Sequence, residues 1–263
     1  MSISLGNALL SVKEDENWIK KTIIGGLIFI AYWISMYLID NAETSTNKLI
    51  GLALYFIFLI FIWGFHASTG NKMINSASNT MADWTEKNLI LKGLKILLGY
   101  LLYVFVFSTI FTIISVIILL AATIILGFVY YLAGLLLHVD FKTVSSGVIA
   151  GLVLAIIGIW LLAWFVQFTN AALTCYFKNL RFRDLMALKK QFRIVKENQH
   201  AAWTLLGKEI LFGLLMILVI LILTITIIGI AAIPFVCFMA SIVSANLFAQ
   251  YGKYIEIGRY LEE

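Results

Sequence analysis

Three long stretches of this chain carry no formal charge: no Asp, Glu, Lys or Arg falls between Lys95 and Asp140, between Lys142 and Lys178, or between Glu209 and Lys253. A helix that crosses a bilayer needs roughly 20 consecutive apolar residues, and each of these stretches exceeds that. Lipid cannot hydrogen-bond a bare backbone, so only helices or closed barrels can span it. Barrel strands would alternate apolar and polar residues, and these stretches do not alternate. Composition agrees: 62% of the residues are hydrophobic and 13% charged, against about 45–50% and about 25% in soluble domains. The predicted fold is all-α, a polytopic membrane helical bundle with six transmembrane helices (seven possible) and amphipathic interfacial helices, built as one integral membrane domain over 1–263.

The clear spans are Thr22–Ile39, Leu49–Phe65, Val144–Ala172, Ile210–Ile228 and Pro234–Tyr251. Acids ahead of Thr22 argue against a cleaved leader and for a retained first span. Gly229 and Pro234 are the expected break between the last two spans, because Pro ends a helix and Gly permits a turn. Ile96–Leu137 is ambiguous: as one helix it would reach about 63 Å, twice the roughly 30 Å hydrocarbon core. Cytoplasmic loops are enriched in Lys and Arg. One crossing by this stretch puts all of the 19 cations except Lys48 and Lys142 on the inner side; two crossings would put the majority outside. The expected topology therefore has both termini cytoplasmic in the inner (cytoplasmic) membrane. The surplus length either tilts or folds at the outer interface, where Gly127, Tyr130 and Tyr131 suit a bend at headgroup level.

Three inward spans begin alike. In "NWIKKTIIGG" (17–26), "DWTEKNLILKGLKILLGY" (83–100) and "HAAWTLLGKEILFGLL" (200–215), Trp, Lys and Gly occur in succession before the apolar run. Trp18, Trp84 and Trp203 are the expected interfacial anchors, and the glycines allow close helix approach. Residues 178–209 form a basic amphipathic cytoplasmic segment. Within it Leu185, Leu188, Phe192 and Val195 share one helical face, while Arg183, Lys189, Lys190, Arg193 and Lys196 form the rest. Such a surface suits anionic headgroups or a protein partner. Nucleic acid is not expected, because orientation in the membrane accounts for the basic excess.

On these same motifs the chain resembles a family of prokaryotic membrane proteins known as domain of unknown function 4013. "VKEDENWIKKTIIGG" resembles its Asp-x-x-Trp-x-Lys-Lys-x-x-x-Gly-Gly opening, and "DWTEKNLILKGLK" its middle Trp segment. "FRIVKENQHAAW" resembles the start of its last hairpin, and "IPFVCFMASIVSANLFAQYGKYIE" its closing Pro…Gly-x-Tyr helix. The resemblance runs in order over almost the whole chain. It implies a polytopic membrane fold and no particular activity, cofactor or active-site residue.

No pattern of catalytic, cofactor-binding or metal-ligating residues stands out. Cys175 and Cys237 are expected to be packing residues. His66, His138 and His200 are expected to be separate interfacial or solvated histidines. The polar residues inside apolar stretches are the candidate site. Gln167, Asn170 and Thr174 fall at i, i+3 and i+7 near the inner end of one span, and Asn246 with Gln250 near the inner end of the last. Amides in lipid need partners, so the two sets are expected either to bolt helices together or to line a vestibule for a headgroup or small solute. No charged residue is expected in mid-span, which disfavours an ion-coupled transporter. The leading expectation is a non-enzymatic scaffold or assembly partner, needing no cofactor and contacting the bilayer, a protein partner or a second copy of itself. The alternative is a solute or lipid-handling transporter or channel using the vestibule.

Overall fold

The computed structural model describes residues 3–76, 79–137 and 144–261, with side-chain surroundings for those outside 118–154. The described residues are helical and contain no strand. In chain order the helices are α1 (Leu5–Leu10), a 3₁₀ turn (Ser11–Glu14), α2 (Trp18–Asp40), α3 (Ser45–Asn75), α4 (Leu89–Leu137), α5 (Val144–Asn179), α6 (Phe182–Leu185), α7 (Leu188–Glu197), α8 (Gln199–Leu223), α9 (Ile227–Tyr254) and α10 (Gly258–Leu261). Six of them, α2, α3, α4, α5, α8 and α9, are long and apolar enough to cross a membrane. Large apolar side chains along them, such as Leu27, Ile34, Phe105, Ile217 and Leu218, are exposed. Water would penalise that surface at roughly 25 cal/mol per Å²; lipid does not. The chain is a multi-pass membrane protein.

Met1–Tyr100 and Gln167–Glu263 make one compact unit, and Leu101–Val166 a second. In the first, α9 packs against α2, α3 and α8. The glycines of the first entrance do what the sequence suggested: a methyl on Gly25 would overlap the Phe238 ring, and one on Gly26 the Phe235 ring. In the second, a methyl on Gly93 would overlap the Ile60 carbonyl oxygen and one on Gly99 the Leu185 side chain, while on the facing α3 a methyl on Gly64 would overlap the Leu89 carbonyl oxygen. In the third entrance, Gly207 and Gly213 have no neighbour within 4 Å of a would-be methyl. The three entrances share residues and differ in packing. In the second unit α4 and α5 run antiparallel, with Phe107 on Phe165 at 4.7 Å between ring centroids and Phe111 beside Gly158.

Four expectations change. The turn between the last two spans comes before Gly229. α8 ends at Leu223, Thr226 caps α9 by accepting a 2.9 Å bond at Oγ1 from the Gly229 N–H, and Pro234 lies inside α9. A membrane helix accommodates the missing proline N–H where neighbouring helices support it, and here Pro234 is buried. α4 is unbroken to Leu137, so the stretch after Gly127 extends the helix and does not bend back. The basic segment is not one helix: α6 and α7 are separate, and the inner face of α7 is Gln191, Ile194 and Val195, whereas Leu188 and Phe192 are exposed. Gln191 makes this possible, because its Nε2 bonds the carbonyls of Asp184 and Leu185 and fills the gap between the two helices. Finally, α8 begins at Gln199, so Lys208 and Glu209 lie inside a helix instead of ahead of it.

Candidate functional site

The N-terminal segment, the α3–α4 connection and the ends of α5 and α9 gather at one end of the first unit. Gln250 on α9 holds the N-terminal segment as a neighbouring strand would. Its Oε1 accepts from Ser4 N–H at 2.7 Å, and its Nε2 donates to Ser4 carbonyl oxygen at 3.1 Å. The same Nε2 donates to Asn246 Oδ1 at 2.6 Å, and Asn246 Nδ2 donates to Asn79 Oδ1 at 3.0 Å. One helical turn of α9 thereby ties together α1 and the segment after α3. Asn71 and Asn75 of α3 donate to the carbonyls at the end of α5, at Phe177 and Lys178. These are carbonyls that a helix terminus leaves without an internal donor.

The α5 set goes elsewhere. Asn170 Nδ2 donates to Glu209 Oε2 of α8 at 2.5 Å, and the Thr174 hydroxyl donates back to the Asn170 carbonyl at 2.7 Å. The Thr174 methyl packs against Gly252 of α9, but the described hydrogen bonds of the α5 set and the Asn246–Gln250 set do not join. Gln167 is buried, and neither its Oε1 nor its Nε2 has a partner among the described residues. Glu209 was not among the expected site residues. The sequence signal was its place four residues after Leu205 in a helix whose true start, Gln199, lies a full three turns upstream of Ile210.

A buried ion pair forms the other polar centre. Lys21 on α2 and Asp15 ahead of it are 7% and 3% exposed. Lys21 Nζ donates to Asp15 Oδ2 at 2.9 Å and to the Met81 carbonyl at 3.2 Å, with Asp83 at 3.3 Å. Asp15 also accepts from the N–H groups of Asn17 and Met81, both at 2.9 Å. Burial alone would raise the Asp15 carboxyl; the bonds from Lys21, Asn17 and Met81 outweigh it and hold the group below its ordinary value of 3.8. Trp84 donates its indole N–H to the Lys21 carbonyl at 3.1 Å and stacks on Phe65 at 4.0 Å. It therefore packs inward. Trp18 is half-buried at the first turn of α2, and Trp203 is exposed on α8.

On α7, Lys189, Arg193 and Lys196 are exposed and Lys190 is half-buried, while Arg183 is exposed on α6. Arg193 pairs with Glu197 at 2.8 Å. Glu197 also accepts from the Tyr260 hydroxyl of α10, and the bonds from Arg193 and Tyr260 hold its carboxyl below the usual range. His66 departs from expectation: it is 5% exposed, with Nδ1 2.9 Å from the Ser241 carbonyl oxygen and Trp63, Phe177 and Phe248 around its ring. His200 is exposed, and His138 lies outside the described residues. Both cysteines are free. Ala245 and Ala249 are buried on α9. Among the described residues, no three His, Cys, Asp or Glu side chains gather as metal ligands would. No family model, curated protein or solved structure matches the chain.

Proposed function

We propose that the chain is a non-enzymatic scaffold of the cytoplasmic membrane, with both termini in the cytosol, that gathers anionic lipid and a protein partner on its cytosolic face. The observation that carries this reading is the division of α7. Its inner face is fixed in the body, while Leu188 and Phe192 stand exposed beside Lys189, Arg193 and Lys196. Apolar residues flanked by cations suit the boundary between headgroups and acyl chains. The use of Asn246 and Gln250 in internal bonds supports a rigid platform. Membership in the family of domain of unknown function 4013, suggested by the motifs, belongs to the same proposal. A photo-crosslinking residue at Phe192 in native membranes tests it. Adducts with anionic lipid or one stoichiometric protein are expected. Quenching by solvent with no adduct would overturn the reading.

A transporter or channel is the second reading, and Glu209 with Gln167 favours it. A carboxylate on a membrane-spanning helix, bonded to an amide that lies one helical turn from a second amide with no described partner, is the kind of group that marks a solute path. A small solute retained by the purified protein and lost in Glu209→Gln would favour this reading over the scaffold.

A further inference from the structure

The last turns of α3, α5 and α9 and the short α10 line an open cleft of about 310 Å³. Lys178, Lys253 and Arg259 line it, over a floor that includes Ile74 and Ile257. We propose that this cleft is a binding site for a phosphate group, carried either by an inner-leaflet lipid or by a free phosphorylated solute. It goes beyond the α7 surface described above and lies on different residues.

The three cations are gathered and left largely unspent. Among the described residues none of them forms an ion pair with a carboxylate. Lys253 Nζ donates to the Ser76 carbonyl at 2.8 Å, and Arg259 donates to the Tyr260 hydroxyl at 2.6 Å, which leaves each with further N–H donors. Glu256 is the one acid on the cleft wall and is exposed, so cations outnumber it three to one. Like charges held together at a membrane surface are costly until an anion joins them, and phosphate takes bonds from Arg and Lys with charge assistance on both sides.

The backbone is shaped for this. Glu256 has φ 51°, a left-handed conformation uncommon for a residue with a side chain. It closes the end of α9, with the Ile257 N–H donating to the Gly252 carbonyl at 2.9 Å. Beyond that turn Arg259 lines the same cleft as Gly252 and Lys253, with its guanidinium 4.7 Å from the Tyr260 ring. Gly258 has open space where a methyl would sit, and Gly252 leaves no room for one beside Ile74. Since α5 and α9 both end here, the cleft lies at headgroup level, where basic pockets between helices take anionic head groups.

The test uses the full chain in neutral detergent. One arm measures retention of phosphatidylglycerol against phosphatidylcholine by native mass spectrometry; the other titrates inorganic phosphate and pyrophosphate by calorimetry. Binding in at least one arm is expected, weakened about tenfold or more in Lys178→Gln/Arg259→Gln. Lys48→Gln, at the start of α3 and away from the cleft, should leave it unchanged, which separates this site from a general loss of positive charge. Glu256→Gln should tighten binding, and decides the matter if the double variant does not fold. Lipid retention alone assigns the headgroup source, and saturable phosphate binding the soluble one. No binding in either arm, or equal binding by wild type and all cleft variants, would overturn the proposal.

Discussion

Replacing Asp15 by Asn should be among the most damaging single changes at the end of the bundle where the N-terminal segment packs. The substitution keeps the shape and removes a charge that Lys21 and two backbone N–H groups all use. Lys21 would stay buried with only the Met81 carbonyl and Asp83, and Asp83 is largely exposed to water. Breaking a buried ion pair from one side costs about 3–5 kcal/mol. Part of that is recovered here through Asp83, so about 3 kcal/mol is expected. Lys21→Met should cost a similar amount by leaving the carboxylate uncompensated. The double variant removes both charges, so it should cost less than the sum, with a coupling of about 1–3 kcal/mol. Denaturant unfolding in micelles, followed by tryptophan fluorescence, measures all four corners of the cycle. Trp84 reports directly, since its indole bonds the Lys21 carbonyl. The pH dependence follows in sign. Asp15 is depressed in the folded state, so its contribution is complete above the unfolded value and is lost as pH falls through the folded one. Below about pH 4 the wild type should therefore approach Asp15→Asn in stability. If Asp15→Asn lies within about 0.5 kcal/mol of wild type, the range of ordinary surface changes, or if the single costs simply add, the reasoning fails.

Gly93 and Gly207, from the second and third of the similar entrances, should behave oppositely. Gly93→Ala forces a methyl into the Ile60 carbonyl and should lower the thermal midpoint clearly, whereas Gly207→Ala meets open space and should be neutral or stabilising by up to about 1 kcal/mol. Gln250→Leu should free the N-terminal segment, read as faster proteolysis ahead of Trp18 and faster amide exchange at Ser4. Asn246→Leu and Asn170→Leu should each cost about 0.6–2 kcal/mol in mild detergent, the range of interhelical hydrogen bonds in membranes. A cysteine at Lys189 should resist an impermeant reagent in intact cells and react after permeabilisation; labelling in intact cells would invert the topology.

The sequence by itself determined the class of protein, the spans apart from Ile96–Leu137, and the clustering of cations. Those follow from uncharged length and loop charge, which are local properties that a bilayer reads directly. It located the amides near the ends of two spans, but not their partners. Gln250 pairs with Ser4, 246 residues away along the chain, and no spacing rule reaches that far. It gave Gly93 and Gly207 equal standing, and only the packing of α3 against α4 separates them. His66 reads as interfacial beside Trp63, yet it is buried because the ends of α5 and α9 close over it with Phe177 and Phe248. Glu209 lies near the edge of an apolar run, and the upstream start of α8 draws it into the helix opposite Asn170. Periodicity and charge act within one helix; burial, pairing and the grouping of Lys178, Lys253 and Arg259 depend on which helices meet, and that is decided by the bundle as a whole.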